Sequence, residues 1–120
     1  MPRPKPIVVR PRIRATRGDV ILIGPGKADL LEAIDESGSI RSAAGRIGMS
    51  YMRAWSLVRT LNESFRGPLV ERTRGGARHG GAVVTPLGRE VLALYREMEQ
   101  RSERALQPAW RRIERLVKKP

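Results

Sequence analysis

The residues "GSIRSAAGRIGMSYMRAWSLVRTLNESF", 38–65, restrict this chain more than any other stretch. Ile40, Ala43, Ala44 and Ile47 recur at helical spacing behind Ser39, a residue type that caps helix N-termini. Gly48 closes that helix with a tight turn, apolar Met49 can turn inward, and Ser50 caps the next helix. In the second helix, Ala54, Leu57, Val58, Leu61 and Phe65 form the inward stripe. The adjacent alanines let another helix cross at close range. Two helices joined this way have the sequence shape of a helix-turn-helix. Helical hairpins with no nucleic-acid role share the pattern, so the chain's charge bears on the reading.

That charge is +12 on 120 residues, and the 20 arginines far outnumber the 4 lysines. A field of several kT follows at the surface of so small a chain. Arginine's planar fork suits phosphates and guanine edges. The expected partner is a polyanion, with nucleic acid ahead of an anionic membrane or an acidic protein; with the helix-turn-helix pattern, that partner is expected to be double-stranded DNA. There is no apolar run long enough for a membrane span; with nucleic acid the favoured polyanion, no membrane partner is expected. The absence of cysteine excludes disulfides and thiolate metal sites and fits a reducing, cytoplasmic setting.

Around the helical pair the chain divides into three parts. Residues 1–11, "MPRPKPIVVRP", are a basic proline-rich arm that cannot be helical and is expected to be disordered. Residues 12–106 hold the folded domain, and 107–120 form a C-terminal helical extension. In the domain, "RIRATRGDVILI" reads as a hairpin turning at Arg17-Gly18-Asp19. Residues 27–36 read as a helix with Leu30, Leu31 and Ile34 inward and Lys27 off that face; Gly38 follows its end. After Gly67-Pro68, "LVERT" and "AVVT" are short strand-like runs joined by four glycines, which let a hairpin tip turn through positive φ. This is the wing expected beside such a helical pair. Thr85 caps, and Pro86 opens, a long helix that Pro108 should interrupt, a further short helix following. The fold class is mainly α with a small β component: a winged helix-turn-helix with an N-terminal β-hairpin and a long C-terminal helix. Leu92, Tyr95, Met98 and Leu106 on that helix should be exposed, which predicts a homodimer through the C-terminal helices.

The site residues follow from the helical faces. Residues 51–65 are the expected recognition helix, whose outward face offers Met52, Arg53, Ser56 and Arg59, with Thr60 and Asn62 further along. Arg53 and Ser56 are placed to read bases in the major groove, and Arg59 to grip phosphate. Tyr51 and Trp55 either touch bases and sugars or pack under the wing. Ser39 and Ser50 are caps whose neighbouring amides can also face phosphate, and Arg41 can clamp the backbone there. On or beside the wing tip, Arg72, Arg74, Arg78 and His79 reach the backbone or the minor groove.

An enzyme is not expected: the lone histidine, His79, lies in a glycine loop without a carboxylate partner, and no metal-ligand spacing occurs. No cofactor is expected. Two rivals stay open. One is a sequence-independent nucleoid-type DNA-binding protein held by charge alone; the other is an oxyanion-sensing regulator.

From about Leu30 to Tyr95 the chain resembles the N-terminal DNA-binding domain of the ModE-type molybdate-responsive transcription regulators. Gly38-Ser39-Ile40, Ser50-Tyr51 with Ala54-Trp55, and Gly75-Gly76 with Gly80-Gly81-Ala82 and Thr85 carry the resemblance. The LysR-type helix-turn-helix has a similar layout, but the Ser50-Tyr51 and Ala54-Trp55 spacing favours the ModE type. The resemblance implies a dimeric winged helix-turn-helix that regulates transcription. Family members that sense molybdate carry a further oxyanion-binding region, so molybdate binding is not expected within this chain.

Overall fold

The computed structural model describes residues 3–73 and 81–120. Its elements run β1 (Ala15–Arg17), β2 (Val20–Ile23), α1 (Pro25–Ser37), α2 (Ile40–Arg46), α3 (Tyr51–Ser64), β3 (Val70–Arg72), β4 (Ala82–Val84) and α4 (Pro86–Glu114). The expected winged helix-turn-helix is present, with its N-terminal hairpin and long C-terminal helix.

Side-chain chemistry sets each boundary. The β1–β2 hairpin turns at Gly18, whose φ of 58° is open to glycine at no steric cost. Pro25 opens α1, and Gly38 ends it in the left-handed conformation, φ 73°, its amide donating to the Ile34 carbonyl. Ser39 caps α2 by accepting from the Ser42 amide at 3.1 Å, and Ser50 caps α3 by accepting from the Arg53 amide at 3.1 Å. Thr85 caps α4 through the Gly88 amide at 3.0 Å, while its own hydroxyl donates to the Pro68 carbonyl.

The main core lies where α1, α2 and α3 cross and the wing covers them. Leu30, Leu31, Ile34, Ala43, Ala54 and Leu61 are fully enclosed there, and Leu69, Val70, Ala82 and Val84 close it from the wing side. Ala43 and Ala44 are both buried at the crossing, as close helix packing requires. β3 and β4 pair antiparallel with Val70 opposite Val84. The wing also joins the start of the helical pair: the Ala82 amide donates to the Gly38 carbonyl at 2.9 Å, and Ser39 bridges to Gly81. A second, smaller cluster of Ile23, Ala28 and Tyr95 fastens the N-terminal hairpin to α1 and α4.

Three expectations are corrected. Lys27 lies on the buried face of α1, because the hairpin covers that first turn. Tyr95 is buried, its hydroxyl donating to the Ile13 carbonyl at 2.7 Å; Leu92 is half-buried and packs against both clusters. Pro108 does not interrupt α4, which runs unbroken for 29 residues. Proline removes one amide donor. Residue 108 and its neighbour Ala109 are exposed, so the carbonyl left without a donor can turn to water while flanking helix formers carry the helix through.

Ion pairs hold α4 on α1. Arg96 reaches Asp29 at 2.9 Å, Glu32 at 3.4 Å and Glu99 at 2.9 Å, and Arg89 reaches Asp35 at 3.3 Å. Burial works against the charge on Arg96, but its hydrogen bonds to Glu99 and Asp29 outweigh that and raise its pKa. Beyond this junction α4 leaves the body, giving a molecule 57 × 38 × 24 Å in extent.

Candidate nucleic-acid interface

At about 100° per residue, the faces of α3 separate cleanly. Ala54, Val58 and Leu61 form the buried side. Directly opposite, Met52, Ser56 and Arg59 are exposed, Met52 at 82%, and Arg53 is exposed on the flank toward the N-terminal hairpin. Because the Ser50 cap fixes the Arg53 amide, the first turn is rigid where the outward side chains leave it. Tyr51, Met52, Trp55, Ser56 and Arg59 line a shallow concavity of about 310 Å³ on this face.

The wing is tied to one flank of α3. Asn62, expected on the outward face, is instead a structural clamp. Its amide oxygen accepts from the Leu69 and Val70 amides at 2.8 and 3.1 Å, and its amide nitrogen donates to the Val70 carbonyl at 3.0 Å. Thr60 is half-buried, and its hydroxyl donates back to the Ser56 carbonyl. The Asn62 amide is fully committed to the wing.

The two aromatic residues join the elements that surround the exposed face. Tyr51 and Trp55 meet edge to face, ring centroids 6.4 Å apart. The Arg41 guanidinium of α2 lies 4.3 Å from the Tyr51 ring centre, and the Arg72 guanidinium of β3 lies 4.2 Å from that of Trp55. A row Arg41–Tyr51–Trp55–Arg72 therefore crosses from the start of α2, over the first turns of α3, to the wing. Each stacked arginine is held partly by the ring quadrupole and keeps donors free for a phosphate. Both rings are half-buried and pack against the core, so packing under the wing holds for Trp55. The row was not legible as a unit. Its one signal was the i, i+4 spacing of Tyr51 and Trp55, which places them on one face.

Of the expected site residues, Tyr51, Met52, Trp55, Ser56 and Arg59 thus share one concavity, with Arg41 and Arg72 stacked on its two rings; Arg53 lines a separate cleft toward the N-terminal hairpin, and Ser39 and Ser50 are caps. Arg74, Arg78 and His79 lie outside the described residues. Two exposed acids belong to this side, Glu63 on α3 and Glu71 on β3. Asp29, Glu32, Asp35 and Glu36 of α1 and Glu97 and Glu99 of α4 are engaged in ion pairs elsewhere.

Helix crossing, capped second helix and adjoining two-stranded wing define a winged helix-turn-helix. The family profile described as "Bacterial regulatory helix-turn-helix protein, lysR family" matches residues 27–89, from the first turn of α1 to the first turn of α4. The chain belongs to that family. It is 43% identical over 77 residues to the "Molybdenum transport protein ModE" of Azotobacter vinelandii, an alignment covering 64% of this chain and 28% of that protein. It is 38% identical over 91 residues to the "Molybdenum-pterin-binding protein MopB" of Rhodobacter capsulatus, covering 72% and 34%. It is 38% identical over 81 residues to the "DNA-binding transcriptional dual regulator ModE" of Escherichia coli K12, covering 68% and 31%. The chain thus spans about a third of the length of these relatives. No helix among the described residues is long and apolar enough to cross a membrane.

Proposed function

We propose that this chain is a sequence-specific, double-stranded DNA-binding transcriptional regulator. In this reading α3 enters the major groove, Arg53 and Ser56 meet base edges, and Arg59, Arg41 and Arg72 hold phosphates on either side. One observation carries it: the side of α3 opposite its buried stripe is exposed and holds Ser56 and Arg59, with Arg53 exposed on its hairpin flank, while the wing is clamped alongside by Asn62. The regulatory family and the transcriptional regulators among the relatives support the same reading. The apolar side chains left exposed on α4, Leu94 and Met98 among them, support a dimer through this helix. Two-fold protein symmetry then calls for paired half-sites.

The test is selection of duplexes from a random pool. A regulator enriches one motif and binds it about 10³-fold or more tightly than random duplex at physiological salt. A protein held by charge alone enriches nothing, and that outcome would replace this reading with a nucleoid-type one.

A further inference from the structure

A second cleft, of about 190 Å³, lies between the N-terminal hairpin, the start of α1 and α3. Arg12, Arg14, Lys27 and Arg53 line it, and no acid does. By helical angle, Arg53 and Leu57 lie on the flank of α3 opposite Trp55 and Asn62, which hold the wing. The exposed face of α3 thus has a basic border on each side, the wing on one and this cleft on the other. We propose that the cleft is a phosphate-binding site and that its occupant is a backbone phosphate of duplex DNA, gripped across α3 from the wing. The proposal rests on the reading of α3 as the groove-binding helix.

Lys27 is 6% exposed, yet no carboxylate pairs with it among the described residues. Its ammonium donates to the Ile21 carbonyl, and burial lowers its pKa. A buried ammonium without a counter-charge is costly, and a bound anion supplies that charge. The start of α1 points the same way: Gly24 provides no side-chain cap, the first turn has no acid, and Gly26 opens onto empty space. Its amide end is positive and free to meet an oxyanion. The arginines are held in place as well. Ile13 sits between them, packed against the smaller core cluster with its carbonyl bonded to Tyr95, and Arg14 packs its stem against Gly24.

The experiment compares the full chain with Lys27→Met, with the double variant Arg12→Gln/Arg14→Gln, and with Arg17→Gln, a hairpin arginine outside the cleft. Affinity for a random-sequence duplex is measured against salt. Parallel NMR titrations with inorganic phosphate, without and with duplex, follow the Gly26 and Lys27 amides. Loss of one phosphate contact lowers the slope of log affinity against log salt by about 0.9. Lys27→Met and the double variant should each show at least that loss, and Arg17→Gln none. Inorganic phosphate should shift the two amides, and duplex should suppress the shift. Because Arg12 and Arg14 are exposed, the double variant keeps the test alive if Lys27→Met does not fold. An unchanged slope in the double variant, or an equal fall in Arg17→Gln, overturns the proposal. So does phosphate binding that duplex leaves untouched, which would make the cleft a small-anion site. Failure of the wild-type chain to bind duplex would instead overturn the parent reading.

Discussion

Tyr95 shows how much a single side chain does in this molecule. It is 2% exposed, and its hydroxyl reaches back 82 residues along the chain to the Ile13 carbonyl. Burial raises its pKa above 10.0, and the charge on Glu99 adds to the shift. The sign follows: the folded protein favours the neutral phenol, so this contribution to stability is complete below pH 10 and is lost as pH rises through the higher folded-state value. Lys27, its pKa lowered by burial, acts in the opposite sense as pH approaches 10.5, but a comparison with Tyr95→Phe shares that contribution and cancels it. Tyr95→Phe should therefore cost about 1–2 kcal/mol at neutral pH. Urea midpoints across pH 7–11 should show the gap between the two proteins narrowing above about pH 10. A constant gap would mean that the phenol does not titrate differently on folding.

Among the elements, the helices were legible in the sequence and the contacts between them were less so. Gly38, Ser39, Gly48, Ser50, Thr85 and Pro86 mark boundaries by local chemistry that needs no partner, and each lies where that chemistry placed it. Tyr95 was misjudged because the hairpin residue it bonds, Ile13, lies 82 positions away, and Lys27 because a lysine reads as solvated until the hairpin folds back over α1. Asn62 was misjudged because a polar residue near the end of an amphipathic helix reads as solvated until the strand that needs it is present. Pro108 was read as a break, yet in solvent a helix can spare one hydrogen bond. The Asn62 clamp makes a prediction for the wing. Asn62→Ala leaves the Leu69 and Val70 amides without their acceptor, which should cost about 1–3 kcal/mol in thermal or urea unfolding. Hydrogen exchange should quicken at these two amides first, ahead of the α1–α2 core. Uniform loss of protection throughout the chain would show that the clamp supports the whole fold and not the wing in particular.

In the molecule as a whole, charge and apolar surface are segregated. Six of the nine acids of α1 and α4 are held in ion pairs, three of them between the two helices, while the side that presents α3 keeps arginines at Arg41, Arg53, Arg59 and Arg72. The hairpin adds Arg12 and Arg14 at its border. α4 is about 43 Å long at 1.5 Å per residue, more than the body can cover. Only Gly88 and Tyr95 are buried on it, while Leu94 and Met98 are 52% and 45% exposed. Sedimentation at micromolar concentration should show a dimer, and Leu94→Glu/Met98→Glu a monomer; a wild-type monomer would contradict pairing through α4. The reading of DNA by α3 is tested most directly by Arg53→Ala beside Arg59→Ala on a selected duplex and on random duplex. Arg53→Ala should lose about 1–3 kcal/mol more on the selected duplex than on the random one, and Arg59→Ala should weaken both alike. Equal losses on the two duplexes for Arg53→Ala would contradict the account.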